Sequence, residues 1–312
     1  MSREFTYIVT KEDEQEGCSI ITLVRRHFAC SSRLRKKIKK NKAITVNGAV
    51  IPVWKAPHAG DAIAVHLPEE ASHFPPEAIP VDVIYEDDDL LIVNKQAGIT
   101  VHPTNGRPDH TLANALSQYM LDTGQRFKIR FINRLDMDTS GLVACGKNAY
   151  VQNDFVRQSR QRLVRKEYTA IVDGLMEEEQ GVIDLPIGRP ADEPLRRGVV
   201  EGGKPSVTHY RVLARFPEAG GPGYSLVRLR LETGRTHQIR VHMCHIGHTV
   251  TGDWLYESVH REQIGRQALH ASRLSFRHPI SGAQLDLHAP LPADMQTLLG
   301  AIGGKDLLDD LL

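Results

Sequence analysis

From residue 81 to residue 287 the apolar residues of this chain come in short runs broken by Gly, Asp, Asn and Pro. The runs at 81–85, 90–93, 142–145, 166–172, 226–231, 274–277 and 284–287 are too short for packed helices and suit strands. In 226–231 (Leu-Val-Arg-Leu-Arg-Leu) apolar residues alternate with arginines at period two, the pattern of a half-buried strand. Helical patterns are dispersed among them. One covers 111–121, with Leu112, Leu116 and Tyr119 along one side, and another covers 148–162. There is no internal repeat and no β-α-β series. The expected class is therefore α+β, a mainly antiparallel mixed sheet with flanking helices and loops.

A chain of 312 residues also has room for a second, smaller domain. Residues 1–68 read as such a module. A helical stretch ends near Phe28, and Ser31 and Ser32 offer an N-cap for a basic helix over 33–40. In that helix Leu34 and Ile38 form a narrow buried stripe, leaving Arg33, Arg35, Lys36, Lys39 and Lys40 on the remaining faces. Asn47-Gly48 marks a turn after the strand 43–46, and Gly60-Asp61 precedes a last strand at 62–67. Residues 69–80, rich in proline and acids, read as a linker or strap, 81–302 as the main domain, and 303–312 as an acidic tail.

Net charge names no partner, because 39 Lys and Arg stand against 38 Asp and Glu. Distribution does: residues 25–42 hold many basic residues and no acidic one. Like charges stacked at i and i+4 weaken an isolated helix, and nucleic-acid phosphates would supply the counter-charge. Four scattered cysteines without a C-x-x-C pair exclude a disulfide framework and a cysteine zinc site. An N-terminus with no apolar signal core and no run of membrane-span length lead to the expectation of a cytoplasmic protein, off the membrane and monomeric by default.

The most specific stretch is Arg134-Leu135-Asp136-Met137-Asp138-Thr139-Ser140-Gly141-Leu142. It lacks the G-x-S-x-G frame of a nucleophile elbow. It resembles the catalytic motif of the RluA-type pseudouridine synthases, which isomerise uridine in ribosomal or transfer RNA. The resemblance spans roughly residues 15–290. It implies the pseudouridine synthase fold, no cofactor, no metal and Asp136 as catalytic carboxylate. It further implies that Arg240, in Gly-Arg-Thr-His-Gln-Ile-Arg, pairs with Asp136, and that Tyr168, in Lys-x-Tyr, stacks on the target base. The same resemblance implies that Leu269 packs on the base from its other side, that Arg134 holds the nucleotide flipped out, and that Lys166 and Thr139 contact substrate. The module 1–68 is similar to an RNA-binding module shared with a small-subunit ribosomal protein. The target implied is large-subunit ribosomal RNA. Two departures are visible: Gln96 stands where the family commonly carries Pro, and Asn133 where many relatives carry His.

Read alone, each residue has a plainer role. Tyr168 and Leu269 suit a core, Arg240 an ion pair, and Asp136 a turn cap. His237, His242, His245 and His248 with Cys244 suggest a zinc cluster, but without an acidic or second cysteine ligand. A non-catalytic RNA-binding protein and a hydrolytic glycosylase using the same carboxylate stand as alternatives. Base release distinguishes the latter from isomerisation.

Overall fold

The computed structural model describes residues 4–28, 31–67, 70–191, 193 and 195–308; the side chain of Arg33 lies outside this description. The N-terminal part comprises β1 (Glu4–Ile8), α1 (Lys11–Gln15), α2 (Ile20–His27), α3 (Ser32–Lys40), β2 (Ile44–Val46) and β3 (Ala62–His66), with its strands in antiparallel order β1-β3-β2. Ser31 caps α3 by accepting from the Leu34 N–H at 3.1 Å. Leu34 and Ile38 join Leu23, Val24, Ile63 and Val65 in this unit's own core. Lys36, Lys39 and Lys40 are exposed, and Arg35 donates to the Ser32 hydroxyl. Lys37 instead turns to Glu70 at 2.8 Å.

Residues 70–80 run over the second unit and are fastened to it. Glu70 also pairs with Arg130, Ser72 accepts from the Ile129 N–H at 2.7 Å, and Asn114 donates to the Pro75 carbonyl at 2.8 Å. Phe74 and Ile79 pack against the main core. Phe5 stacks on Tyr150 at 4.6 Å, a second contact between the units.

The larger unit follows as β4 (Asp82–Glu86), β5 (Leu90–Lys95), α4 (Leu112–Asp122), β6 (Arg130–Phe131), β7 (Ser140–Gly146), α5 (Ala149–Arg160), β8 (Arg165–Asp173), β9 (Gln180–Asp184), β10 (Ile187–Gly188), β11 (Gly198–Val199), β12 (Val207–Phe216), β13 (Tyr224–Leu231), α6 (Gln238–His245), β14 (Leu269–Arg277), β15 (Gln284–His288) and α7 (Ala293–Ala301). One sheet runs β4-β5-β7-β14-β8-β13-β12-β9, with β15 on β14 and β6 on β7. All its pairs are antiparallel except β7 with β14. Alternate residues of β5 and β7 feed opposite cores. Leu91, Val93 and Val143 meet α4, while Leu90, Ile92 and Leu142 meet Val151 and Phe155 of α5.

Two local readings change. The strand read at 274–277 begins earlier, as β14 over Leu269–Arg277, with a bulge between His270 and Arg273 that the residue pattern alone does not show. Glycine- and arginine-rich residues 188–210 suggest a long hairpin or arm exposed to solvent; a β10–β11 hairpin forms, but Ile187 at its start is buried against Val241 and Tyr256.

The parallel seam places the site. His270 pairs with Ser140 and Ala271 with Gly141. Gly141 has φ +111°, and a Cβ there would fall on the Ala271 backbone. Only glycine lets β14 come this close to the end of the 134–140 loop.

Candidate active site

The loop before β7 is irregular, yet its backbone polar groups are bonded, as burial demands. The Asp136 carbonyl accepts from Thr139 N–H, the Met137 carbonyl from Gly98 N–H, and the Asp138 carbonyl from Arg266 Nη1 at 3.0 Å. Asn133 bonds both ways to β7, donating to the Leu142 carbonyl and accepting from Ala144 N–H. This fastening fixes the carboxylate that faces the cleft, that of Asp136, whose side chain is 19% exposed.

Lys95 is a fastener that sequence reading missed. It ends β5 with no solvent exposure, and its Nζ donates to the carbonyls of Gln96, Ile99 and Met137 at 2.8–2.9 Å. Burial pushes its pKa down to about 7. The three carbonyls oppose that shift, because a neutral amine supplies only two N–H donors. Lys95→Met should leave these carbonyls unpaired and cost on the order of 3 kcal/mol. Thermal unfolding would then come roughly 5–10 °C lower, with catalysis falling as the loop loosens. Wild-type melting in this variant would contradict the role.

Opposite Asp136 stands Arg240, in the first turn of α6. Gln238 anchors that turn, accepting from Thr233 Oγ1 and Arg235 N–H and donating to the Val207 carbonyl on β12. His237, at the helix N-cap, has φ +58°, a left-handed conformation uncommon outside glycine. Arg240 donates from Nη1 to Asp136 Oδ2 at 3.2 Å. From Nε and Nη2 it grips Asp253 at 2.5 and 2.8 Å. Burial alone would push the guanidinium down; the bonds to Asp253, with Asp136, more than reverse this and hold the charge. Its Cζ lies 5.0 Å from the Tyr256 ring centre. Tyr256 in turn holds His237 Nδ1 at 3.0 Å, and His237 Nε2 lies 3.9 Å from Asp136. Burial pushes the His237 imidazole below its ordinary pKa.

The cleft between these groups is walled by Arg134, Leu135, Thr139, Tyr168, Leu231, Arg235 and Leu269 as well. Tyr168 is buried, and burial, with the Asp136 charge, pushes its phenol above the ordinary range. Leu269 presents an apolar wall, and Arg134 is exposed at the rim. Thr139 lines the cleft but is buried, its hydroxyl accepting from Gln267 Nε2 at 3.2 Å. Lys166 lines a neighbouring concavity, with its Nζ beside Gly234. Three of the four histidines read as a metal cluster have other partners, His237 among them. His242 bonds to Thr208 and the Leu185 carbonyl, and His248 to the Asp173 carbonyl.

Asp253, His237 and Tyr256 were not marked for this site in advance. The motif Gly252-Asp253-Trp254 carries no spacing that ties it to Arg240; the α6 fold-back makes that pair.

Comparison with known proteins adds an independent line. A sequence profile of the RNA pseudouridylate synthase family matches residues 89–245. Ribosomal large subunit pseudouridine synthase D of Haemophilus ducreyi is 37% identical over 318 residues, covering 97% of this chain and 96% of that protein. The protein of the same name from Escherichia coli K12 is 36% identical over 315 residues, covering 96% and 95%. Among solved structures, human RNA pseudouridylate synthase domain containing 1 superposes with a TM-score of 0.59 at 28% identity, covering 72% of this chain and 89% of that one.

Proposed function

The chain belongs to the RNA pseudouridylate synthase family, and from that premise we propose that it isomerises uridines of large-subunit ribosomal RNA at Asp136, as a cytoplasmic monomer. The observation that carries the residue assignment is the Asp136–Arg240 pair at 3.2 Å, in a cleft whose walls include Tyr168 and Leu269.

The reaction breaks the bond from ribose C1′ to uracil N1, turns the base and joins C1′ to C5. N1 gains a proton and C5 loses one, so no atom is added and no electron is exchanged. A single carboxylate starts this chemistry, whether it attacks C1′ or removes a ribose proton. Arg240 balances the carboxylate's charge in a site largely closed to water, and Asp253 holds the guanidinium so that its Nη1 edge points at Asp136. Tyr168 and Leu269 offer flat and apolar surfaces on which a loose uracil stays while it turns. A stacked, paired nucleotide cannot enter such a cleft, so the uridine is extruded, and exposed Arg134 at the rim is placed to hold its phosphate. Lys166 and Thr139 act beside the cleft, the first toward the RNA backbone and the second through loop shape.

The N-terminal unit supplies affinity for folded RNA. Lys36, Lys39 and Lys40 present an exposed cationic helix face, with Arg35 beside them and Arg33 outside the described side chains. Phosphate contacts of this kind make binding salt-dependent, so removing these charges should flatten that dependence.

The test of the function uses purified protein and a large-subunit ribosomal RNA transcript tritiated at uridine C5. Isomerisation releases tritium and leaves a nucleoside of uridine's mass with a carbon–carbon glycosidic bond. Free uracil would identify a hydrolytic glycosylase instead, and no change would leave an RNA-binding protein.

A further inference from the structure

A second concavity, of ≈ 500 Å³, lies across the sheet from Asp136. Along β8, Tyr168 lines the catalytic cleft while Arg165 and Glu167 line this one. Successive strand residues project to opposite faces, so β8 separates the two. Its walls carry Arg165, Arg211, Arg228, Arg230 and Arg273, with His209. The one carboxylate among them, Glu167, is buried and already held by Arg165 at 2.6 Å and Arg273 at 3.4 Å. Arg273 is further engaged by Asp286 at 2.7 Å. Arg211 and Arg228 make no side-chain hydrogen bond or ion pair among the described residues, and Arg230 has only the nearby charge of Glu232, beyond ion-pair distance. Arg211 and Arg228 stand directly opposite each other in the β12–β13 register. Like charges so placed destabilise a sheet until an anion lies between them.

We propose that this arginine face binds the phosphate backbone of a second segment of the substrate RNA, continuous with the strand that enters the catalytic cleft. Three features favour RNA over a small anion. The guanidiniums spread over the adjacent strands β12, β13, β8 and β14, three strand spacings or roughly 14 Å. Arginine forks match phosphate oxygens, and although Glu167 and Asp286 occupy Arg165 and Arg273, Arg211 and Arg228 have no carboxylate within ion-pair distance among the described residues. The surface also continues toward the cleft. Arg165 and Arg230 line the next concavity with Arg162, Lys166 and Glu232, which pairs with Arg162 at 3.2 Å and leaves the basic groups in excess, and Leu231 there belongs to the cleft wall as well.

The proposal rests on RNA being the substrate. Its test compares wild type with the triple variant Arg211→Gln, Arg228→Gln, Arg230→Gln on the tritiated ribosomal transcript. The slope of log binding constant against log salt is expected to fall by about 2, at roughly 0.7–0.9 per phosphate contact. The kcat at saturating RNA should stay unchanged, and the matching triple lysine variant should recover most of the slope. A photo-cross-linking residue at Val182, 58% exposed on the same concavity, should capture RNA in the otherwise native chain. An unchanged slope, a lysine variant as weak as the glutamine one, or no RNA cross-link from position 182 would overturn the proposal. Wild-type tritium release alongside any of these leaves the catalytic reading standing; its absence sinks that reading instead.

Discussion

Asp136→Asn is expected to remove product formation, by roughly 10⁴-fold or more, while leaving RNA affinity within about threefold. The amide keeps the shape of the carboxylate and its place before Arg240, but it neither attacks C1′ nor takes a proton. The loop is held from behind by Lys95, Arg266 and Gln267, none of which bonds to the Asp136 side chain. Melting should therefore move little. Single-turnover tritium release, with binding measured in parallel, separates the two effects. If the variant kept a tenth of wild-type turnover, the carboxylate would not be the reacting group.

The largest stability effect belongs to Arg240. Asp253 is wholly buried, and its oxygens accept from Arg240 and from the Tyr256 N–H. Arg240→Leu leaves that carboxylate charged and unpaired, at a cost of about 3–5 kcal/mol. Adding Asp253→Leu removes the stranded charge and should restore much of the loss, because two apolar groups need no partner. Activity should return in neither variant, since Asp136 has lost its guanidinium in both. Arg240→Lys should fail too: a point charge does not bridge two carboxylates as a fork does. Chemical denaturation of the three variants reads this order directly. A double variant no more stable than Arg240→Leu would mean that the buried pair is not what holds the α6 turn.

Much of this site was legible because its chemistry is carried by consecutive residues. The run 134–142 and the run 234–240 each hold their side chains within one loop or helix turn, so a linear pattern names Asp136 and Arg240. Alternation in 226–231 likewise foretold a strand whose arginines face outward, and the apolar run 166–172 a strand. What stayed hidden depends on the register and on long-range folding. Lys95 ends an apolar strand and reads as a surface charge until β5 is laid beside β7. Asp253 becomes a partner only when the chain returns past α6. The opposition of Arg211 and Arg228 exists only once β12 and β13 are paired. The bulge in β14 hid its first residues, leaving only 274–277 legible as a strand, because an extra residue inverts the alternation midway.

The most direct test of the central claim is nucleotide-resolution mapping of pseudouridine in large-subunit ribosomal RNA from cells carrying either the native chain or Asp136→Asn. The expected result is one or a few modified positions present with the native chain and plain uridine at the same positions with the variant. Persistence of those modifications with Asp136→Asn, or abasic sites in their place with the native chain, would contradict the account.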